Sequence, residues 1–179
     1  MKIGGFAKNP YFMNYTELQE LQHVEKLVTL QCVEGWTRKM LSEGIPLIDL
    51  IEKADPDDRV TNVIFKSTDG YTTTLTLDYI GERNIILADK LNGIKLPPAQ
   101  GFPFIVVAKD KWGNKWARWV EEIELSDNDK YRGYWEEFGT AKTEASTNRC
   151  STGRRELTLT AVCCVVRSTL TGYSLRPLI

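Results

Sequence analysis

The chain has 179 residues, of which 42% are apolar and 10% aromatic, enough for one ordinary domain with a sizeable core. Its 23 basic and 24 acidic residues give a formal charge of −1, so the charge balance does not indicate binding to nucleic acid. Neither a long apolar segment nor a signal peptide is visible. We therefore expect a cytoplasmic protein as the chain is written, or an exported one if an upstream segment is missing.

The first elements are a short helix and a strand. Thr16 and Gln19 form a capping-box pattern with leucines at helical spacing behind it, which predicts a helix near 16–22. Residues 24–33 alternate loosely and contain several valines and leucines, which favours a strand. This interpretation places Cys32 near the end of the strand.

Turn residues divide the rest of the chain into short elements. Gly35-Trp36 interrupts the strand, and Pro46 fits the first position of an amphipathic helix at 47–54. The Asp-Gly between 59–66 and 71–77 indicates a β-hairpin. Strands outnumber helices and several are joined by tight turns, so the expected fold class is α+β, with mixed, largely antiparallel sheets and short helices. Further strands are expected at 85–88, 94–96, 104–108 and 116–125.

The cysteines lack the spacing of a zinc site or of a disulfide framework, because no CxxC pair occurs. The single histidine, His23, argues against multi-histidine metal sites and most hydrolase mechanisms. Cys32 is the cysteine of interest, since Val33-Glu34-Gly35-Trp36 follows it and a glycine turn there lets a bulky group approach the backbone. A buried structural cysteine is the alternative for this residue. The other cysteines are Cys150, Cys163 and Cys164.

The sequence around Cys32 resembles the cysteine motif of the sulfite oxidase-type molybdopterin-binding oxidoreductases, especially the branch with the bacterial protein-methionine-sulfoxide reductase catalytic subunit. Further landmarks of that family follow in the same order and cover about residues 1–139, leaving 140–179 as a tail of unassigned structure. The resemblance implies the family's fold. The landmarks are Gly44-Ile45-Pro46-Leu47, Leu91-Asn92-Gly93, Leu96-Pro97-Pro98, Gly101-Phe102-Pro103, Trp112-Gly113 with Lys115, and Gly133-Tyr134-Trp135-Glu136.

The resemblance also implies a site. Cys32 corresponds to the thiolate that holds molybdenum beside the sulfurs of molybdopterin, and Glu34 is a candidate to tune the metal or relay a proton. The sequence departs from its relatives at Gln100 and at Phe104, where an arginine is common. We expect most of the tryptophans to lie in the core and one or two to line a pocket. The residues expected to bind the cofactor are Cys32, Gln100, Gly101, Lys111, Lys115 and Arg118.

These features predict a molybdenum cofactor-dependent oxidoreductase that performs oxygen-atom or two-electron transfer on a small substrate or an oxidised side chain. The family resemblance implies a separate electron-transfer haem protein or membrane subunit as partner. One alternative is a cofactor-free binding or assembly module of the same fold. A second alternative is a thiol-based redox protein that uses Cys32 directly and would need a thiol with a depressed pKa.

Overall fold

The computed structural model describes residues 1–140, so all but the first residue of the expected tail lie outside the described part. Ten short strands and four short α-helices make up most of this region. The strands are β1 Lys2–Gly5, β2 Tyr11–Phe12, β3 Val24–Gln31, β4 Thr37–Pro46, β5 Asn62–Ser67, β6 Thr72–Thr76, β7 Ile86–Leu91, β8 Ile94–Lys95, β9 Ile105–Val107 and β10 Val120–Ser126. The helices are α1 Tyr15–Gln19, α2 Leu47–Lys53, α3 Leu77–Arg83 and α4 Tyr134–Glu137.

The first sheet has the order β2-β1-β10-β5-β6. β1 pairs parallel with β10, and the other neighbours pair antiparallel. The expected hairpin is present as β5 and β6, joined by a turn in which Gly70 has φ +83°. The strand expected at 116–125 begins only at Val120, and the residues before it take part in a cavity wall described below.

The second sheet has the order β3-β4-β7-β8, and β9 also pairs with β7, at Ile86, Leu87 and Ala88. β3 and β4 form a hairpin whose register runs from Val24 opposite Gly44 to Gln31 opposite Thr37. The sequence analysis did not predict β4, whose buried positions are Met40, Ser42, Gly44 and Ile45. Mixed sheets with short helices confirm the expected α+β class.

Two helix starts differ from the expected ones. The N-cap of α1 is Asn14, whose side chain accepts from the Glu17 N–H while Glu17 reaches back to the Asn14 N–H. The capping box therefore lies two positions before the Thr16 pattern. Pro46 is the last residue of β4 and the N-cap of α2 rather than its first helical residue.

The core lies between the sheets and the helices that cover them. Apolar side chains from both sheets and from α1, α2 and α3 belong to one buried cluster, which includes Phe65 and Phe104 with at most 1% exposure. Burial of such side chains is the main stabilising contribution in a domain of this size. No helix among residues 1–140 is long and apolar enough to cross a membrane.

Candidate active site

A cavity of about 600 Å³ opens between the Cys32 turn, the β5–β6 turn and the segment that leads into β10. This volume lies within the range of small-molecule and cofactor sites. Its walls are mostly apolar and contain a few charged groups from separate segments. The lining residues are Leu30, Cys32, Val33, Glu34, Trp36, Arg38, Met40, Asp69, Tyr71, Leu91, Ala99, Gln100, Ile105, Val107, Gly113, Asn114, Trp116, Arg118, Trp119 and Trp135.

Cys32 is presented by a tight turn directly after β3. The Cys32 N–H donates to Trp36 O at 2.9 Å, and the Gly35 N–H donates to Cys32 O at 3.0 Å. Gly35 has φ +90°, a conformation that glycine adopts without steric cost. The Cys32 side chain lines the cavity and is 9% exposed, so its thiol lies in the wall and not on the outer surface.

Glu34 belongs to the same turn, because β3 ends at Gln31. Its carboxylate reaches the cavity that Cys32 lines. Oε2 of Glu34 accepts a hydrogen bond from Nε1 of Trp36 at 3.2 Å, and both side chains are exposed. The Glu34 carboxylate therefore lies at the mouth of the cavity, where it is exposed to solvent.

Arg118 is the half-buried cation of the cavity wall. None of the ion pairs among residues 1–140 includes Arg118, and burial lowers the pKa of its guanidinium. A partly desolvated cation without a carboxylate beside it favours an anionic ligand. Gln100 lines the same wall, and Gly101 packs behind it: a Cβ there would lie 3.1 Å from Cβ of Arg118.

Lys111 and Lys115 do not line this cavity. Nζ of Lys111 lies 4.8 Å from the centre of the Tyr79 ring. Lys115 is 1% exposed, and its ammonium forms a buried ion pair with Glu136 in α4 and lies 3.4 Å from Thr74 O. The structure thus brings together Cys32, Glu34, Gln100 and Arg118 from the predicted set and places both lysines elsewhere.

Aromatic side chains form much of the cavity lining. Four of the five tryptophans line the cavity, namely Trp36, Trp116, Trp119 and Trp135. The expectation that most tryptophans belong to the core was therefore wrong: only Trp116 is also in the buried cluster. Large flat side chains can enclose a planar ring system and exclude water from it.

Sequence reasoning missed three polar residues of the wall, Arg38, Asp69 and Asn114. Asp69 was interpreted only as a turn residue, and Arg38 follows Trp36 in a strand that was not predicted. Asn114 directly precedes Lys115, and its Oδ1 is buried without a hydrogen-bond partner among the described residues. A buried acceptor of this kind is costly unless a ligand or water donates to it.

These residues fit a molybdenum cofactor carried on molybdopterin. Cys32 offers a soft thiolate, Arg118 a cation for a phosphate, and Asn114 an acceptor for ring N–H groups. Residues 1–140 contain no cluster of three or more His, Cys, Asp or Glu side chains that could hold a metal.

Known proteins were compared with the chain. A sequence model of the oxidoreductase molybdopterin binding domain matches residues 1–135. The uncharacterised oxidoreductase YuiH of Bacillus subtilis is 28% identical over 140 residues, which are 78% of this chain and 70% of that protein. The protein-methionine-sulfoxide reductase catalytic subunit MsrP of Gluconobacter oxydans is 28% identical over 147 residues, covering 72% of this chain and 47% of MsrP.

A solved structure has the same fold. The sulfane dehydrogenase SoxCD of Paracoccus pantotrophus superposes with a TM-score of 0.67 at 18% identity, over 72% of this chain and 38% of that chain. This likeness confirms the predicted fold. The chain spans about half the length of MsrP and a larger share of YuiH.

Proposed function

Because the chain belongs to the oxidoreductase molybdopterin-binding domain family, we propose that it is a molybdenum cofactor-dependent oxidoreductase acting on an oxidised sulfur side chain. The single observation that carries the proposal is the cavity that Cys32, Gln100, Asn114 and Arg118 share. Domains of this family bind molybdopterin, and the bound cofactor supplies the oxygen-atom and two-electron chemistry that side chains lack.

The residues of the cavity have separate roles in this proposal. The Cys32 thiolate is the protein's ligand to the metal, since soft thiolates suit such metals and the turn holds it in the wall. Arg118 binds the anionic phosphate, and Gln100 and Asn114 offer amide groups to the pterin. Gly101 leaves room for the Arg118 side chain to pack. Lys115 does not contact the cofactor, and its buried ion pair with Glu136 holds the backbone beside Asn114.

Glu34 is proposed to move protons. Reduction of a sulfoxide to a thioether consumes two electrons and two protons and releases one water. Glu34 lines the cavity near Cys32 and is exposed, so its carboxylate can take a proton from solvent and deliver it inside. The electrons would come from a separate electron-transfer haem protein or membrane subunit.

The composition of the cavity mouth favours a substrate side chain carried on a protein rather than a small inorganic anion. Val33 and Trp36 line the cavity and are 39% and 47% exposed, so the β3–β4 turn presents an apolar rim. Exposed apolar rims are typical of surfaces that contact peptides. The name of the relative MsrP, a protein-methionine-sulfoxide reductase, agrees with this substrate class.

A cofactor-free module of the same fold is disfavoured by two features. Arg118 is half-buried and is included in no ion pair of the described region, and Oδ1 of Asn114 is buried without a partner there. Both cost stability in a protein that binds nothing. Phe104, which stands where relatives commonly have arginine, lies in the core and is absent from the cavity lining.

The test is the molybdenum content per chain, measured by metal mass spectrometry on protein from a host that makes molybdopterin. We expect near-stoichiometric metal in the unaltered chain and almost none in Cys32→Ala, because the thiolate is the protein's only direct ligand in this proposal. Ser42→Ala, at a buried site away from the cavity lining, is the control and should retain the metal. Metal-free unaltered protein would overturn the proposal.

A further inference from the structure

Trp119 has an unusual backbone conformation for its size. Its φ is +52°, in the left-handed region that bulky residues rarely adopt. Such conformations persist only where surrounding contacts hold them, and they are concentrated at functional sites. Trp119 lines the cavity and directly follows Arg118. The contacts around Trp119 therefore indicate the role of its backbone conformation.

Three hydrogen bonds join Trp119 to two other segments of the cavity wall. Its indole Nε1 donates to Pro98 O at 2.6 Å, and its backbone N–H donates to Gly101 O at 3.3 Å. Pro98 is the first residue of the short 3-10 turn that carries Gln100, and Gly101 directly follows that turn. Its carbonyl accepts from the Thr68 N–H at 3.1 Å, at the turn that carries Asp69.

We propose that Trp119 is a positioning residue that fixes Arg118, Gln100 and Asp69 relative to one another as one binding wall. This inference rests on the proposed function and goes beyond it. Left-handed φ at Trp119 turns its carbonyl toward the β5–β6 turn while its N–H and indole face the 3-10 turn. An extended backbone at that position would separate these groups and let Arg118 move independently of Gln100.

The experiment measures the rate at which the cofactor leaves the full-length, molybdenum-loaded protein, followed by the fluorescence of released pterin. Trp119→Phe keeps an aromatic ring but removes the indole N–H together with the five-membered part of the ring system. We expect release to become about fivefold faster, the effect of losing one ordinary hydrogen bond. Trp119→Asn, which tolerates left-handed φ but has no ring, should fold and release faster still.

Trp112→Phe is the matched control. Trp112 is the one tryptophan among residues 1–140 that does not line the cavity, so the same substitution there removes an indole outside the wall. Its release rate should change less than that of Trp119→Phe. A second readout is the salt dependence of release, which depends on how Arg118 meets an anionic group. The salt dependence should become shallower in Trp119→Phe and remain unchanged in Trp112→Phe.

The outcomes separate the two proposals. Unaltered protein without molybdenum overturns the proposed function. Loaded protein in which Trp119→Phe and Trp119→Asn release cofactor at the unaltered rate and salt dependence overturns the positioning role alone. A lower melting temperature with unchanged release assigns Trp119 a purely structural role, which also contradicts the inference.

Discussion

One short segment contributes Arg118 to the cavity wall and Lys115 to the buried ion pair with Glu136, which we call the α4 anchor. The two regions accommodate their positive charges in opposite ways. Lys115 is 1% exposed and forms an ion pair with Glu136, whereas Arg118 is half-buried and lines the cavity. The anchor satisfies its charge within the protein. The cavity wall leaves the Arg118 guanidinium available to an anionic ligand. Basic residues three positions apart can therefore serve stability and binding separately.

The largest expected effect is on the anchor. Glu136→Ala leaves the Lys115 ammonium buried without its carboxylate, which typically costs about 3–5 kcal/mol of folding free energy. We expect this loss in urea unfolding of the cofactor-free protein. The double variant Lys115→Met/Glu136→Leu removes both charges at similar volume and should recover most of it. If the double variant is as unstable as Glu136→Ala, the loss comes from packing of α4 and the contrast with the wall disappears.

A smaller effect is expected at the cavity wall, where the variant weakens cofactor retention and does not lower stability. Arg118→Gln should slightly raise the unfolding free energy of the cofactor-free protein, because it removes a half-buried charge that has no ion pair within residues 1–140. Loss of a charge-assisted contact of about 1.5–3 kcal/mol should weaken cofactor retention roughly tenfold to a hundredfold. Arg59→Gln, which removes an exposed arginine paired with Asp57, is the control for charge. Equal retention in both variants would contradict a cofactor contact at Arg118.

The smallest effect at neutral pH concerns Tyr71, which lies between the two regions. Its hydroxyl donates to Asn114 O, and burial, with the nearby Glu136 carboxylate, raises the pKa of the phenol above its ordinary value of 10.0. A raised pKa in the folded state means that this contribution to stability is complete below about pH 10 and is lost as the pH rises further. Unfolding measured from pH 8 to 12 should show a shallower alkaline loss in Tyr71→Phe than in the unaltered protein. An identical slope in both proteins would contradict this assignment.

Sequence patterns predicted those parts of the fold that local chemistry determines. The β5–β6 hairpin was predicted because Asp69-Gly70 specifies a tight turn. β4 was missed because Gly35-Trp36 was interpreted as an interruption, although Gly35 reverses the chain so that a strand begins at Thr37. β4 pairs with its sequence neighbour β3 and also with β7, which lies far away in sequence.

The candidate site was predicted in part for a similar reason. Cys32 and Arg118 were predicted as site residues from the family landmarks, and both line the cavity. Lys115 belongs to the same landmark, but its environment depends on Glu136, which only the folded chain brings beside it. The left-handed backbone of Trp119 had no sequence signal, since bulky residues are rare there.

The parallel pairing of β1 with β10 has a consequence for biosynthesis. β10 is the middle strand of the first sheet, and Lys2 in β1 lies opposite Glu122. On a ribosome that adds about 5–20 residues per second, β1 is synthesised on the order of ten seconds before its partner strand β10. Until then the β1–β2 and β5–β6 pairs exist apart with open edges, so this interval is when the nascent chain depends most on chaperones.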